Sequence, residues 1–290
     1  MKNLLIYINP RHDFGDEEKV TIKIQIDNSL DLGWKKEDIL LVTNFPYEYN
    51  GVKAIVVGDE NYCESMPTTS KINTVVELFK PILFSDIFVI NAIIDLHNKS
   101  LIDRREIYFY HDIDLFQNEV ITQSEIEREL GEAEVGITDK GRMPLWNTGT
   151  IFFRESAADI FKRTKEVAYE YGATDESALM VLYTNNLLWA TEPDDPPADR
   201  FVPANIPGME NAGNRIKKIN ITYNFRRWNI RSTYKIAYQP IRAVQFHPFA
   251  NPEVNDEVRD IDFFLYGKNK INAQLVPQRL VKIFNKHGIR

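Results

Sequence analysis

The sequence predicts an α/β fold, a mostly parallel sheet flanked by helices, and three observations carry that expectation. Short apolar runs alternate with longer amphipathic stretches through the first half of the chain. Such alternation yields parallel strands, because each crossover needs a helix to return the chain to the same edge. A length of 290 residues suits one large domain of that class, or a domain with a subdomain. Finally, two aspartates, Asp112 and Asp114, follow directly on an apolar strand. In such sheets, ligand-binding groups gather beyond the carboxyl ends of the strands.

Residues 4–8 form an apolar run of buried-strand type. Residues 16–31 are ambiguous: Val20, Ile22, Ile24 and Ile26 alternate as in a strand, while the acidic start and the Leu30-Asp31-Leu32-Gly33 ending suit a helix. The helix is preferred. Residues 39–43 and 54–57 read as strands, and 69–79 and 85–98 as helices separated by Pro81, with Ser85-Asp86 as a cap. Residues 106–110 form the strand that leads into Asp112-Ile113-Asp114. Residues 123–131 read as a helix, 134–138 and 150–153 as strands, and 157–171 and 175–184 as helices. The stretch 192–214 holds Pro193, Pro196, Pro197, Pro203, Pro207, Gly208 and Gly213 and reads as a loop. Apolar runs at 219–223 and 241–246 precede a mixed tail to which no element is assigned. Residues 1–250 are expected to form one domain, with halves at 1–118 and 119–250, and residues 251–290 a C-terminal extension.

Hydrophobic residues at 43% and charged residues at 27% are ordinary for a globular chain. Cys63 is the one cysteine, so no intrachain disulfide can form, which fits a reducing compartment. The apolar run before Asn9-Pro10 is too short for a signal peptide core or a membrane span, and no later run reaches membrane length. A soluble, cytoplasmic protein is expected. The net charge of −7 is unevenly spread. Residues 211–242 carry Arg215, Lys217, Lys218, Arg226, Arg227, Arg231, Lys235 and Arg242, with no acid among them. An acidic body with one basic stripe points to a local polyanion contact.

Asp112 and Asp114 are the candidates for chemistry. Acids beside apolar walls are costly unless paired or bound to a cation. In an extended chain a spacing of two puts both carboxylates on one side, with Ile113 turned to the core. Two converging carboxylates suit Mn²⁺ or Mg²⁺, hard cations that take oxygen ligands. The competing reading is a turn with its acids in solvent.

The run Glu106-Ile107-Tyr108-Phe109-Tyr110-His111-Asp112-Ile113-Asp114-Leu115-Phe116 resembles the GT-A glycosyltransferases, whose corresponding strand ends in an Asp-x-Asp motif. Trp146-Asn147-Thr148-Gly149-Thr150 is similar to the strand that follows in many members. Asp175-Glu176-Ser177 resembles the acidic helix start that closes the site, and Phe246-His247-Pro248 the late histidine of the glycogenin-like branch. The four landmarks stand in family order between residues 4 and 250.

The resemblance implies a GT-A fold with a Rossmann-like sheet, its first half binding a nucleotide sugar and its second half facing the acceptor. It implies a nucleotide-diphosphate sugar donor, a UDP-sugar first, and an ion held by Asp112, Asp114 and His247. Asn9, Lys71, Asp112, Asn147 and Gly149 would bind the donor. Asp175 and Glu176 would supply a general base in an inverting reaction; without one, a retaining mechanism stays open.

Trp146 would stack on a sugar or base, or else fill the core. Arg226, Arg227, Trp228 and Arg231 would contact the acceptor or the diphosphate. Basic and aromatic residues interleaved in this way also suit a nucleic acid, so DNA bearing a hydroxymethylated pyrimidine is one expected acceptor, beside glycan and protein. Two readings of other classes are a nucleotidyltransferase and a non-catalytic binding module. The first is disfavoured because Asn9-Pro10-Arg11-His12-Asp13-Phe14-Gly15 is not a glycine-rich phosphate loop.

Overall fold

A computed structural model describes residues 1–62, 87–142, 145–171, 174–184, 186–187, 202–203, 212–226, 234–249 and 275–289. The chain opens with β1 (Lys2–Tyr7), crosses through α1 (Asp16–Asp31) to β2 (Ile39–Thr43), and passes through a short β3 (Glu48–Tyr49) into β4 (Val52–Val56). Helix α2 (Ile87–Asn98) leads back to β5 (Tyr108–His111), and a tight turn to β6 (Leu115–Gln117). Then come α3 (Gln123–Leu130), β7 (Val135–Arg142), β8 (Leu145–Phe153), α4 (Ala158–Tyr171) and α5 (Asp175–Thr184). A small antiparallel pair, β9 (Asn186–Leu187) and β10 (Val202–Pro203), precedes α6 (Ala212–Arg215), β11 (Ile216–Ile219), β12 (Phe225–Arg226), β13 (Ala243–Gln245) and α7 (Gln278–Lys286).

The main sheet has the order β11-β7-β8-β5-β1-β2-β4-β3. β1 runs parallel to β2 and β5, β2 to β4, and β7 to β11. β8 runs antiparallel to both of its neighbours, and β3 is antiparallel to β4. This is the mainly parallel α/β sheet that the alternation predicts. A second sheet, β12-β13-β6, stands beside it.

Alternation along β1 divides the core. Leu4, Ile6 and Ile8 pack with Tyr108, Tyr110, Ile151, Phe153 and the apolar faces of α2, α4 and α5. Leu5 and Leu41 pack on the other side with Ile22 and Ile26 of α1.

The ambiguous residues 16–31 are helical, and the structure explains their strand-like spacing. Ile22 and Ile26, one turn apart, face the main sheet, while Ile24 faces a separate core with Phe116, Val244, Leu280 and Phe284. The helix lies between two cores and needs apolar residues on both sides. Fully burying each isoleucine contributes about 1.5–3 kcal/mol, which outweighs the few tenths lost to β-branching in a helix.

In three regions the elements differ from expectation in extent or existence. β7 and β8 run beyond their apolar stretches because they pair with each other past the sheet edge, as in Asp139↔Trp146 and Arg142↔Leu145. Within 192–214, residues 202–203 form β10 and Ala212 opens α6. The tail contains α7, whose Leu280 and Phe284 are fully buried one turn apart. That i, i+4 pair was its sequence signal. The expected helix at 69–79, Pro81, the Ser85-Asp86 cap, Lys71 and Cys63 lie outside the described residues, as do most of 192–214 and residues 250–274. Among the described residues, no helix is long and apolar enough to cross a membrane.

Candidate active site

The Asp112-Ile113-Asp114 segment joins the carboxyl end of β5 to β6 and so leaves one sheet for the other. It is a turn and not an extended continuation of the strand: Leu115 N donates to Asp112 O at 3.1 Å. The backbone there is not extended as expected, yet the two carboxylates converge and Ile113 packs against the core of β1, β2 and α1 as the spacing predicts. The turn is braced from α1, where the buried Gln25 donates from Nε2 to Ile113 O at 2.7 Å and to Leu115 O at 2.6 Å. Leaving the buried Leu115 carbonyl without a donor would cost about 1–3 kcal/mol.

The meeting point of the acids is Gln245. Its Nε2 donates to Asp112 Oδ2 at 2.7 Å and to Asp114 Oδ1 at 2.8 Å. Strand β13 brings it there by pairing antiparallel with β6, Gln245 opposite Leu115, and Phe246 N closes the arrangement on Asp114 O at 3.1 Å. Arg226, opposite Gln245 on β12, donates from Nε to Gln245 Oε1 at 2.6 Å and places its guanidinium 3.9 Å from Asp112 Oδ2. Tyr110 OH donates to Asp112 Oδ1 at 2.8 Å. His247 Nδ1 lies 3.6 Å from Asp114 Oδ2 on an exposed side chain.

Burial and then the charge of Asp112 push the Asp114 carboxyl above its ordinary value. His111, fully buried, is held down to about 4 by desolvation and lies 2.9 Å from both Asp112 O and the Asn3 side-chain amide. Its Nδ1 contact to Asp112 O braces the backbone of the motif.

Gly149 sits on β8 beside Asp112, whose N donates to Gly149 O at 3.0 Å. A Cβ there would lie 2.5 Å from Asp112 Oδ2 and 2.9 Å from Gln245 Oε1. Asn147 is buried, and its Oδ1 accepts from Gly149 N at 3.0 Å. Trp146, two strand positions before Thr148, is 4% exposed and lies 4.5 Å from the Tyr183 ring inside the main core. Asp175, buried, and Glu176, half-buried, start α5, the helix that carries Tyr183.

Asn9 follows β1 at the same sheet edge. It exchanges hydrogen bonds with Asn44 after β2, its N donating to Asn44 Oδ1 at 3.0 Å and its O accepting from Asn44 Nδ2 at 2.9 Å. Asn44 also donates to Asp59, which pairs with His12 at 3.0 Å.

Of the basic stripe, Arg227, Trp228 and Arg231 lie outside the described residues. The others largely meet partners within the chain. Arg215 binds Glu134 and Asp159, Lys218 pairs with Asp139 at 3.0 Å, Arg242 pairs with Glu125 at 2.8 Å, and Lys217 donates to Glu129 O.

Sequence reasoning missed Gln245 and Tyr110. Gln245 did leave a trace, as a polar residue inside the apolar run 241–246. Among the described residues, no three His, Cys, Asp or Glu side chains are gathered to hold an ion. The Asp112/Asp114 pair nevertheless fits one: both carboxylates already point at a single atom, Gln245 Nε2, and their oxygens are the hard ligands that Mn²⁺ and Mg²⁺ take.

No protein-family model and no curated protein matches the sequence. Solved structures do match the fold. A galactosyltransferase, LgtC, in complex with donor and acceptor sugar analogues is 12% identical, with a TM-score of 0.55 over 99% of this chain and 96% of that one. An active-site mutant of LgtC gives 12% and 0.52 over the same shares. The glycosyltransferase GlyE of Streptococcus pneumoniae, in its apo form, gives 11% and 0.51 over 100% of this chain and 64% of that one. At such identities the likeness defines the fold, and the fold is that of the GT-A glycosyltransferases.

Proposed function

We propose that this protein is a metal-dependent glycosyltransferase that moves a sugar from a nucleotide-diphosphate sugar, a UDP-sugar first, to an acceptor hydroxyl. One observation carries the reading: Asp112 and Asp114 converge at the carboxyl end of β5, within a GT-A fold. Asp112 and Asp114 would hold Mn²⁺ or Mg²⁺, with His247 at the rim. A bound ion there supplies Lewis-acid stabilisation of the diphosphate as it leaves.

In the transfer, the acceptor oxygen forms a bond to the anomeric carbon. The bond from that carbon to the phosphate oxygen breaks, its electron pair leaves with the diphosphate, and the acceptor proton passes to a base. Asp175 or Glu176 takes that proton in an inverting reaction; in a retaining reaction the leaving diphosphate takes it. Arg226 supplies a guanidinium for the diphosphate charge. Asn9 shapes the donor side and Lys71 adds a second cation for the diphosphate; residues 1–118 serve the donor and 119–250 face the acceptor while reaching the donor through Asn147, Gly149 and Arg226, with 251–290 appended.

The acceptor is ranked by where the cations go. Arg215, Lys218 and Arg242 are ion-paired within the chain. We therefore place a glycan or protein hydroxyl first, with Arg227, Trp228 and Arg231 on the acceptor side and Trp146 left to the core, and a hydroxymethylated pyrimidine in DNA second.

The test is a panel of labelled sugar nucleotides, with glycan, protein and modified-DNA acceptors, each with Mn²⁺ or with chelator. Chelator-sensitive transfer or hydrolysis that is lost in Asp114→Asn is the expected result. Turnover that survives both would overturn the reading. No turnover with any donor, together with ligand binding unchanged by Asp114→Asn, would make the chain a binding module.

A further inference from the structure

Both ends of the Gln245 amide are engaged by charged groups. Nε2 gives one hydrogen to Asp112 and the other to Asp114, and Oε1 accepts from Arg226. The partners fix which end points where. Carboxylates only accept, and a guanidinium only donates, so in this state the amide has one allowed orientation. Three charged groups, drawn from the β5–β6 turn and from β12, are joined through one neutral side chain.

A divalent cation at the point where the acids converge is incompatible with that orientation, because N–H hydrogens would face positive charge. Half a turn about the last side-chain bond exchanges the ends. Oε1 then faces the cation, and Nε2 faces Arg226. Two donors cannot bond each other, so the guanidinium must leave.

We propose that Gln245 is a ligand of the divalent ion through Oε1, and that rotation of its amide couples ion binding to release of Arg226. The released guanidinium becomes available to an anionic group on the substrate, such as a diphosphate. The inference rests on reading Asp112 and Asp114 as the ion-binding pair.

Mn²⁺ binding to the full chain, without substrate, tests it, read as loss of the electron paramagnetic resonance signal of free Mn²⁺. Gln245→Leu, close in shape and without an oxygen ligand, is expected to weaken binding about tenfold or more. Gln245→Glu, which keeps an oxygen and adds charge, should bind at least as tightly as wild type. Removing Arg226 (R226M) should tighten binding, and by more with Gln245 present than in the Gln245→Leu background. A purely electrostatic effect would be equal in both. Binding by Gln245→Leu within about twofold of wild type, or an equal R226M effect in both backgrounds, would overturn the inference. If wild type fails to bind Mn²⁺, or Asp114→Asn binds as well as wild type, the reading of the acids has failed instead.

Discussion

Gly149 and Asp112 approach so closely that no side chain fits between them: a Cβ on Gly149 would stand 2.5 Å from Asp112 Oδ2. The glycine is required by this close approach, since its backbone has no need of the left-handed region. Gly149→Ala should therefore push the Asp112 carboxylate out of line. Misplacement on the ångström scale costs about 10²-fold in rate. Turnover should fall by that order while the far-ultraviolet circular dichroism stays unchanged. A fully active alanine variant would mean that Asp112 has room to move without consequence.

Asp114 is pushed up by burial and by Asp112, so its charge opposes the fold. Replacing it with asparagine removes that cost and keeps the hydrogen bond from Gln245. Asp114→Asn should lower metal-dependent turnover by about 10²-fold or more, yet unfold at the same or a higher temperature than wild type. Differential scanning calorimetry beside an activity assay checks the pair. Unfolding at a lower temperature would show that the carboxylate stabilises the fold.

Asp27 ties the C-terminal helix to α1. Burial works to raise its carboxyl, but hydrogen bonds from Lys286 and His287 outweigh it and hold the group below its ordinary value. A depressed carboxyl contributes stability above its unfolded value, near 4, and loses it as pH falls through the folded value. Wild type should thus lose about 1–2 kcal/mol more than Asp27→Asn between pH 6 and strongly acidic buffer. Urea unfolding at both pH values measures this, and parallel losses in the two proteins would rule it out.

Phe284 of α7 packs 4.8 Å from Phe116 and 5.7 Å from Phe246, ring centre to ring centre. Phe116 lies two residues after Asp114, and Phe246 sits between Gln245 and His247. Phe284→Ala should cost about 3–5 kcal/mol of stability through the cavity it leaves. It should also weaken Mn²⁺ binding, because the cavity underlies both arms of the site. Lost stability with unchanged Mn²⁺ affinity would separate the helix from the site.

Much of the fold was legible locally. The apolar runs at 4–8, 39–43 and 106–110 became neighbouring parallel strands, because a strand buried on both faces is a continuous apolar run that each stretch shows by itself. The α1 helix was harder to read. Its isoleucines answer to two cores at once, and one of those cores includes a helix more than 240 residues away in sequence. Charge counting located the basic stripe but not its use: Arg215 and Arg242 meet acids 81 and 117 residues distant.

By itself the sequence determined the class of sheet, the strand that carries Asp112 and Asp114 to its end, and the close spacing of Asn147 and Gly149. The tertiary structure decided that the motif is a turn, that Gln245 and Arg226 complete it, and that Gly149 stands against its carboxylate. The physical reason is range. Hydrophobic periodicity is a property of consecutive residues, whereas the contacts of the site depend on the pairing of β6 with β13 and of β13 with β12, across separations of more than 100 residues for the first. Such pairing is set by which buried faces fit together, and no single stretch of sequence contains it.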